Sequence, residues 1–123
     1  MSKTLLAAIV LGTLAGCASN AHNSHLNQAY QAYDRGDCAQ TIFQLSRAER
    51  ASRSRPHLQP EISLLRGLCL ERQALYVDAA QTYRYLLRHY PNSEYSYRAG
   101  ARLETLRQLG HYQPDQRLPP ERP

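Results

Sequence analysis

A chain of 123 residues, 42% apolar and 20% charged, has room for one small domain and none for a second. The formal charge is +5, and the arginines run from Arg35 to Arg122 interspersed with acids, with no groove-entering helix marked out, so the pattern excludes a nucleic-acid partner. A Gly-rich phosphate loop, a paired-histidine zinc motif and a nucleophile elbow are all missing, which excludes the chemistries that those motifs carry and leaves no cofactor or small-molecule substrate to expect.

Residues 1–16 carry one charge, Lys3, then an apolar run from Leu5 to Leu11 that resumes at Leu14, with small residues before Cys17. This is a secretory signal pattern, too short to span a membrane. Leu14-Ala15-Gly16-Cys17 resembles the lipobox of bacterial lipoproteins, in which the cysteine is acylated and becomes the first mature residue. The alternative is an ordinary cleaved signal with a chance cysteine. The resemblance implies stable membrane anchorage by several acyl chains. Ala18 follows the cysteine, where an aspartate would resemble an inner-membrane retention signal, so the expected location is the outer membrane facing the periplasm, with the inner membrane as the alternative.

Residues 18–24 are polar and without apolar periodicity, so residues 17–25 read as the acylated cysteine and a short tether. His22 and His25 are three apart, but no third ligand stands near them in sequence, and no metal site is expected.

From Leu26 the apolar residues recur at helical spacing through Ala29, Tyr30, Ala32 and Tyr33. The break Asp34-Arg35-Gly36-Asp37 follows, and then a second helical run of Ala39, Ile42, Phe43, Leu45 and Ala48. Ser52 to Pro60 carries two prolines among polar residues and predicts a loop. Ile62, Leu65, Leu68 and Cys69 predict a third helix, and Ala79, Ala80, Tyr83, Leu86, Leu87 and Tyr90 a fourth, with a turn near 74–77. Pro91 ends that helix, and residues 94–109 predict a fifth, stopped by Gly110. Residues 111–123 contain four prolines and read as a disordered tail.

Gly67, Ala79, Tyr83 and Pro91 stand at the spacing of a tetratricopeptide repeat, an antiparallel helix pair of about 34 residues with small residues where the helices touch. Gly36-Asp37-Cys38 resembles the Gly-Asp-Tyr turn of the same family, at a period of about 38 rather than 34. Residues 90–106 are similar to the junction and following helix of periplasmic repeat lipoproteins. The implied fold is all-α: a stack of antiparallel helix pairs over residues 26–110, about five helices, behind an N-terminal signal helix.

About three repeats are normally needed for a stable stack, so this domain is thin. With Cys17 acylated, Cys38 and Cys69 remain as an even pair in an oxidising compartment, and a disulfide between them would compensate. The alternative is two separately buried thiols.

The resemblance also implies a binding groove lined by the first helix of each pair. Its positions would be Leu26, Tyr30, Tyr33 and Asp34, then Leu64, Leu68, Glu71 and Arg72, then Tyr95, Arg98 and Arg102. Tyrosine and arginine suit binding hot spots, although Tyr30 and Tyr33 suit a helix interface equally. Arg98 and Arg102 lie one turn apart and would offer two guanidinium forks to a carboxylate-bearing client; otherwise they are a solvated face. The expected function is thus a membrane-anchored periplasmic adaptor, not an enzyme, whose partners are envelope proteins: an outer-membrane protein assembly machine, a pilus or secretion channel, or a cell-wall complex. The alternative is a cell-wall enzyme or an activator of one.

Overall fold

The computed structural model describes the backbone of residues 2–115 and the side chains of residue 17 and residues 19–115. Five α-helices follow in order: α1 (Ser2–Asp34), α2 (Cys38–Ala51), α3 (Gln59–Arg72), α4 (Tyr76–His89) and α5 (Glu94–Gln108), with one 3-10 turn at Pro56–Leu58 and no strand among the described residues. The all-α stack expected from periodicity is the fold observed. Consecutive helices pack against one another, and α3 also touches α5.

Three turns share one geometry. Gly36, Ala74 and Gly110 sit in the left-handed region, with φ of 77°, 58° and 78°, just after α1, α3 and α5. In each turn the next residue's N–H reaches back to close the helix end, from Asp37 to Ala32 O, Leu75 to Leu70 O and His111 to Leu106 O, all at 2.9 Å. This closure satisfies carbonyls that a helix end otherwise leaves open. At the first turn Asp37 also caps α2, its carboxylate accepting the Gln40 N–H at 3.0 Å. Cys38, Tyr76 and Tyr112 each stand two residues beyond these left-handed positions, so the third turn repeats the geometry of the first two.

Two apolar clusters form the core. Leu26, Ala29, Leu45, Ala48, Ile62 and Leu65 join α1, α2 and α3. Leu64, Ala79, Ala80, Tyr83, Leu86, Ala99, Leu103 and Leu106 join α3, α4 and α5. Cys38 of α2 and Cys69 of α3, both buried, lie within disulfide-bonding reach, with Cα atoms 5.3 Å apart.

Two expectations need correcting. Residues 17–25 are not an irregular tether but part of α1, and packing starts before Leu26. His22 is buried with Nδ1 3.2 Å from Ala48 O, and His25 Nδ1 lies 3.0 Å from Gln44 Oε1. Along the chain, His22, His25, Leu26 and Ala29 make a helical stripe in which two members are imidazoles. Nor does the tail leave the domain at residue 111. The His111 ring stacks on Tyr76, with centroids 3.8 Å apart, and Tyr112 packs against the second core cluster. Residues 116–123, the remainder of the expected tail, lie outside the described residues.

Gly67 is a point of close approach between α3 and α4. A Cβ there would run into Tyr83 Cε1, whereas at Gly100 the nearest atom would be Leu87 Cδ2 at 3.6 Å. Alanine favours a helix over glycine by roughly 1 kcal/mol. Overpacking a filled site costs about 1–3 kcal/mol. Gly67→Ala is therefore expected to lower the melting temperature and Gly100→Ala to leave it unchanged or raise it. Parallel thermal unfolding of the two variants checks this, and a stabilised Gly67→Ala protein would contradict the packing described.

Candidate functional site

The face made by α1, α3 and α5 is held together by its own polar side chains. At one end the Tyr30 hydroxyl donates to Glu61 Oε1 at 2.7 Å. Burial and that carboxylate both push the Tyr30 hydroxyl's pKa up. Burial, then Glu61 as an electrostatic neighbour and hydrogen-bond partner, raises Tyr95 in the same way, so two tyrosines from α1 and α5 converge on one glutamate of α3.

At the other end the Arg72 guanidinium lies 3.6 Å from the centre of the Tyr33 ring and donates through Nη1 to Tyr33 O at 2.6 Å. Beside it, Glu71 accepts from the Tyr83 hydroxyl at 2.5 Å. It also accepts from Arg102, through Nε at 3.0 Å and Nη2 at 2.5 Å. The fork is bidentate, the geometry in which arginine holds a carboxylate best. Burial pushes the Tyr83 hydroxyl's pKa well up, Glu71 adding to the effect, and the Glu71 bond raises Arg102.

Around this second set of contacts lies a depression of about 420 Å³ lined by Tyr33, Leu68, Glu71, Arg72, Tyr76, Arg102, Leu106, Leu109 and His111. Five of the expected groove positions are thus gathered in one place: Tyr33, Leu68, Glu71, Arg72 and Arg102. Leu26 and Leu64 are not groove residues, since each is buried in a core cluster. Tyr30 and Tyr95 are half-buried against the core, with their hydroxyl ends at Glu61. Asp34 is exposed at the end of α1, and Arg98 is exposed on α5. The expected pair of open forks is corrected: Arg102 is engaged by Glu71, which leaves Arg98 and Arg102 in different environments.

Four lining residues escaped the sequence reading: Tyr76, Leu106, Leu109 and His111. Tyr76 was legible as the counterpart of Cys38, and Gly110-His111-Tyr112 as a third copy of the turn Gly36-Asp37-Cys38. Among the described residues no cluster of histidine, cysteine and acidic side chains could hold a metal ion, and no helix is long and apolar enough to cross a membrane. No protein-family profile, curated protein or solved structure matches the chain.

Tyr83 makes the domain sensitive to alkali. Its folded pKa lies above the ordinary value of 10.0, so the proton is held more tightly in the folded chain. The associated stability is fully present below pH 10.0 and is lost as pH rises beyond it. Tyr83→Phe should lower the melting temperature at neutral pH, since the bond to Glu71 is lost, while flattening its decline above pH 10. Melts between pH 8 and 11.5 check this, and an unaltered alkaline decline in the variant would contradict it.

Proposed function

We propose that the chain is a lipoprotein of the tetratricopeptide-repeat kind, anchored through Cys17 to the outer membrane and facing the periplasm, that binds envelope proteins as an adaptor. The observation that carries this reading is the depression lined by Tyr33, Leu68, Arg72, Tyr76 and Leu109. Its wall combines aromatic rings, arginines and leucines, the composition that protein-binding hot spots favour. The carboxylate in it, Glu71, is tied to Tyr83 and Arg102, an arrangement that suits structure better than proton transfer. Cys17 is exposed, as an acylated residue would have to be.

Leu109 is 64% exposed at the rim of the depression, and Phe43 is 50% exposed on α2, away from it. A photo-crosslinking residue at 109 in intact envelopes should give discrete protein adducts that are absent from position 43 and lost with Arg72→Glu. Identical adducts from both positions, or none from 109, would remove the depression as the binding surface. In the same cells an alkyne fatty acid should label the chain and fail to label Cys17→Ser; label retained in the variant would refute the anchor.

We also infer that Cys38 and Cys69 are bonded in the periplasm. The bond would close a loop of sequence separation 31. On the chain-entropy account such a loop stabilises by roughly 3–4 kcal/mol. Unreduced peptide mapping should find the linked pair, and reduction should lower the melting temperature by on the order of ten degrees or more for a domain of this size. Two freely alkylated thiols would refute the bond.

A further inference from the structure

The arginines that are scattered along the sequence are gathered in space. His22 beside Ala48 and His25 beside Gln44 show that α2 runs antiparallel to α1, so the C-terminal end of α2 lies at the Cys17 end of the molecule. Cys17 is five residues before His22, about 7.5 Å further along the helix, level with the loop that leaves α2. The start of α3 lies there too, where Gln59 donates to Glu49 at 2.7 Å. The end of α4 joins them, because Tyr85 and Tyr90 line a cleft of about 300 Å³ together with Arg50, Arg53, Arg55 and Gln59.

This end therefore collects Arg47, Arg50, Arg53, Arg55 and Arg88, and Arg66 paired with Glu49, against Glu49, Glu61 and Glu94. The opposite end carries Asp34, Asp37, Glu71, Asp78 and Glu104 against Arg35, Arg72, Arg102 and Arg107, of which Arg102 is paired with Glu71 and Arg107 with Glu104, so no net basic cluster forms there. Arg47, Arg50, Arg53 and Arg88 are exposed, and Tyr85, His89 and Tyr90 form an aromatic group beside them, with ring centroids 4.5 and 6.0 Å from Tyr85.

We propose that this arginine-rich end is a docking surface for the anionic phospholipid headgroups of the membrane that carries the N-terminus. Its charge complements phosphodiesters, and guanidinium groups suit phosphate oxygens through paired donors. Tyrosines at the same level are the side chains that a membrane interface favours. The apolar N-terminal run and Cys17 leave from the same end, so a membrane holding either one meets this surface first. Basic side chains near an anionic surface each tighten association by about fivefold. The cleft between the Ser52–Pro56 loop and Tyr85 is where a headgroup would enter.

The inference rests on the anchor reading only for which end faces the membrane. Fatty-acid labelling reports the anchor, and lipid selectivity reports the surface, so either can fail while the other stands. The test is flotation of the full chain with vesicles of phosphatidylglycerol and phosphatidylcholine in equal parts, against vesicles of phosphatidylcholine alone. The ratio of the two cancels any apolar insertion by the N-terminal segment. The expected result is a strong preference for the anionic vesicles that 0.5 M salt abolishes. Arg50→Glu with Arg53→Glu should cut that preference by about 25-fold or more. Arg35→Glu with Arg107→Glu, the same charge change at the opposite end, should alter it by less than about threefold. Circular dichroism checks the folding of both variants. No preference in the unmodified chain, an equal loss in both double variants, or equal affinity for soluble duplex DNA would overturn the proposal.

Discussion

Tyr83 seated on Gly67 is the contact on which the rest of the stack depends. The ring occupies the space that any Cβ at residue 67 would take, and this lets α3 and α4 approach closely enough to bury Leu64, Ala79 and Ala80 between them. A tyrosine buried that deeply needs an acceptor for its hydroxyl, and Glu71, one turn further along α3, provides it. That carboxylate, almost enclosed, in turn needs a cation, and Arg102 from α5 supplies the guanidinium fork. One missing Cβ therefore leads, by successive requirements of packing and charge, to the joining of three helices. The same chain of contacts builds the floor of the depression, so the candidate site and the core share residues.

Much of this fold was legible in the sequence because it follows from periodicity and turn chemistry. The helical spacing of Ala79, Tyr83 and Leu86, Pro56 in the α2–α3 connection, Pro60 in the first turn of α3 and the glycines at 36 and 110 each carry a local physical signal. The Gly67 to Ala79 spacing marked where α3 and α4 approach, although the group that fills the space at Gly67 is the Tyr83 ring, one turn beyond Ala79. What escaped has equally specific causes. His22 and His25 belong to the buried stripe of α1, but an imidazole reads as polar until a carbonyl such as Ala48 O or an amide such as Gln44 is known to face it. The turn at Ala74 repeats that at Gly36, yet alanine carries no signature of a positive φ.

The groove was half legible for a different reason. A helix in the middle of a stack, such as α3, has neighbours on two flanks, and an apolar stripe does not reveal which of its members face a neighbour and which face solvent. Leu64 turns inward and Leu68 lines the depression, although both satisfy the same period. Pairings across elements, Tyr33 with Arg72 and Glu71 with Arg102, span 39 and 31 residues and are set by the stack, not by either local sequence. Arg102 looked like an open fork because its partner lies on another helix.

Continuity of α1 gives these features a common geometry. Because residues 17–25 are helical and held against α2, no flexible spacer separates Cys17 from the domain. Tyr33, sixteen residues on, stands about 24 Å along the same helix axis. The basic surface and the depression therefore sit at opposite ends of one rigid body. On the proposed anchorage, a basic end held by lipid phosphates and a helix that continues without a break would fix the depression at a set height, directed away from the membrane. A flexible tether would let the domain sample many orientations and spread any client over a volume; a rigid helix docked by charge confines it to a layer. That confinement is a physical advantage open to an adaptor with so small a core, since it lowers the orientational cost of meeting a partner fixed in the same membrane.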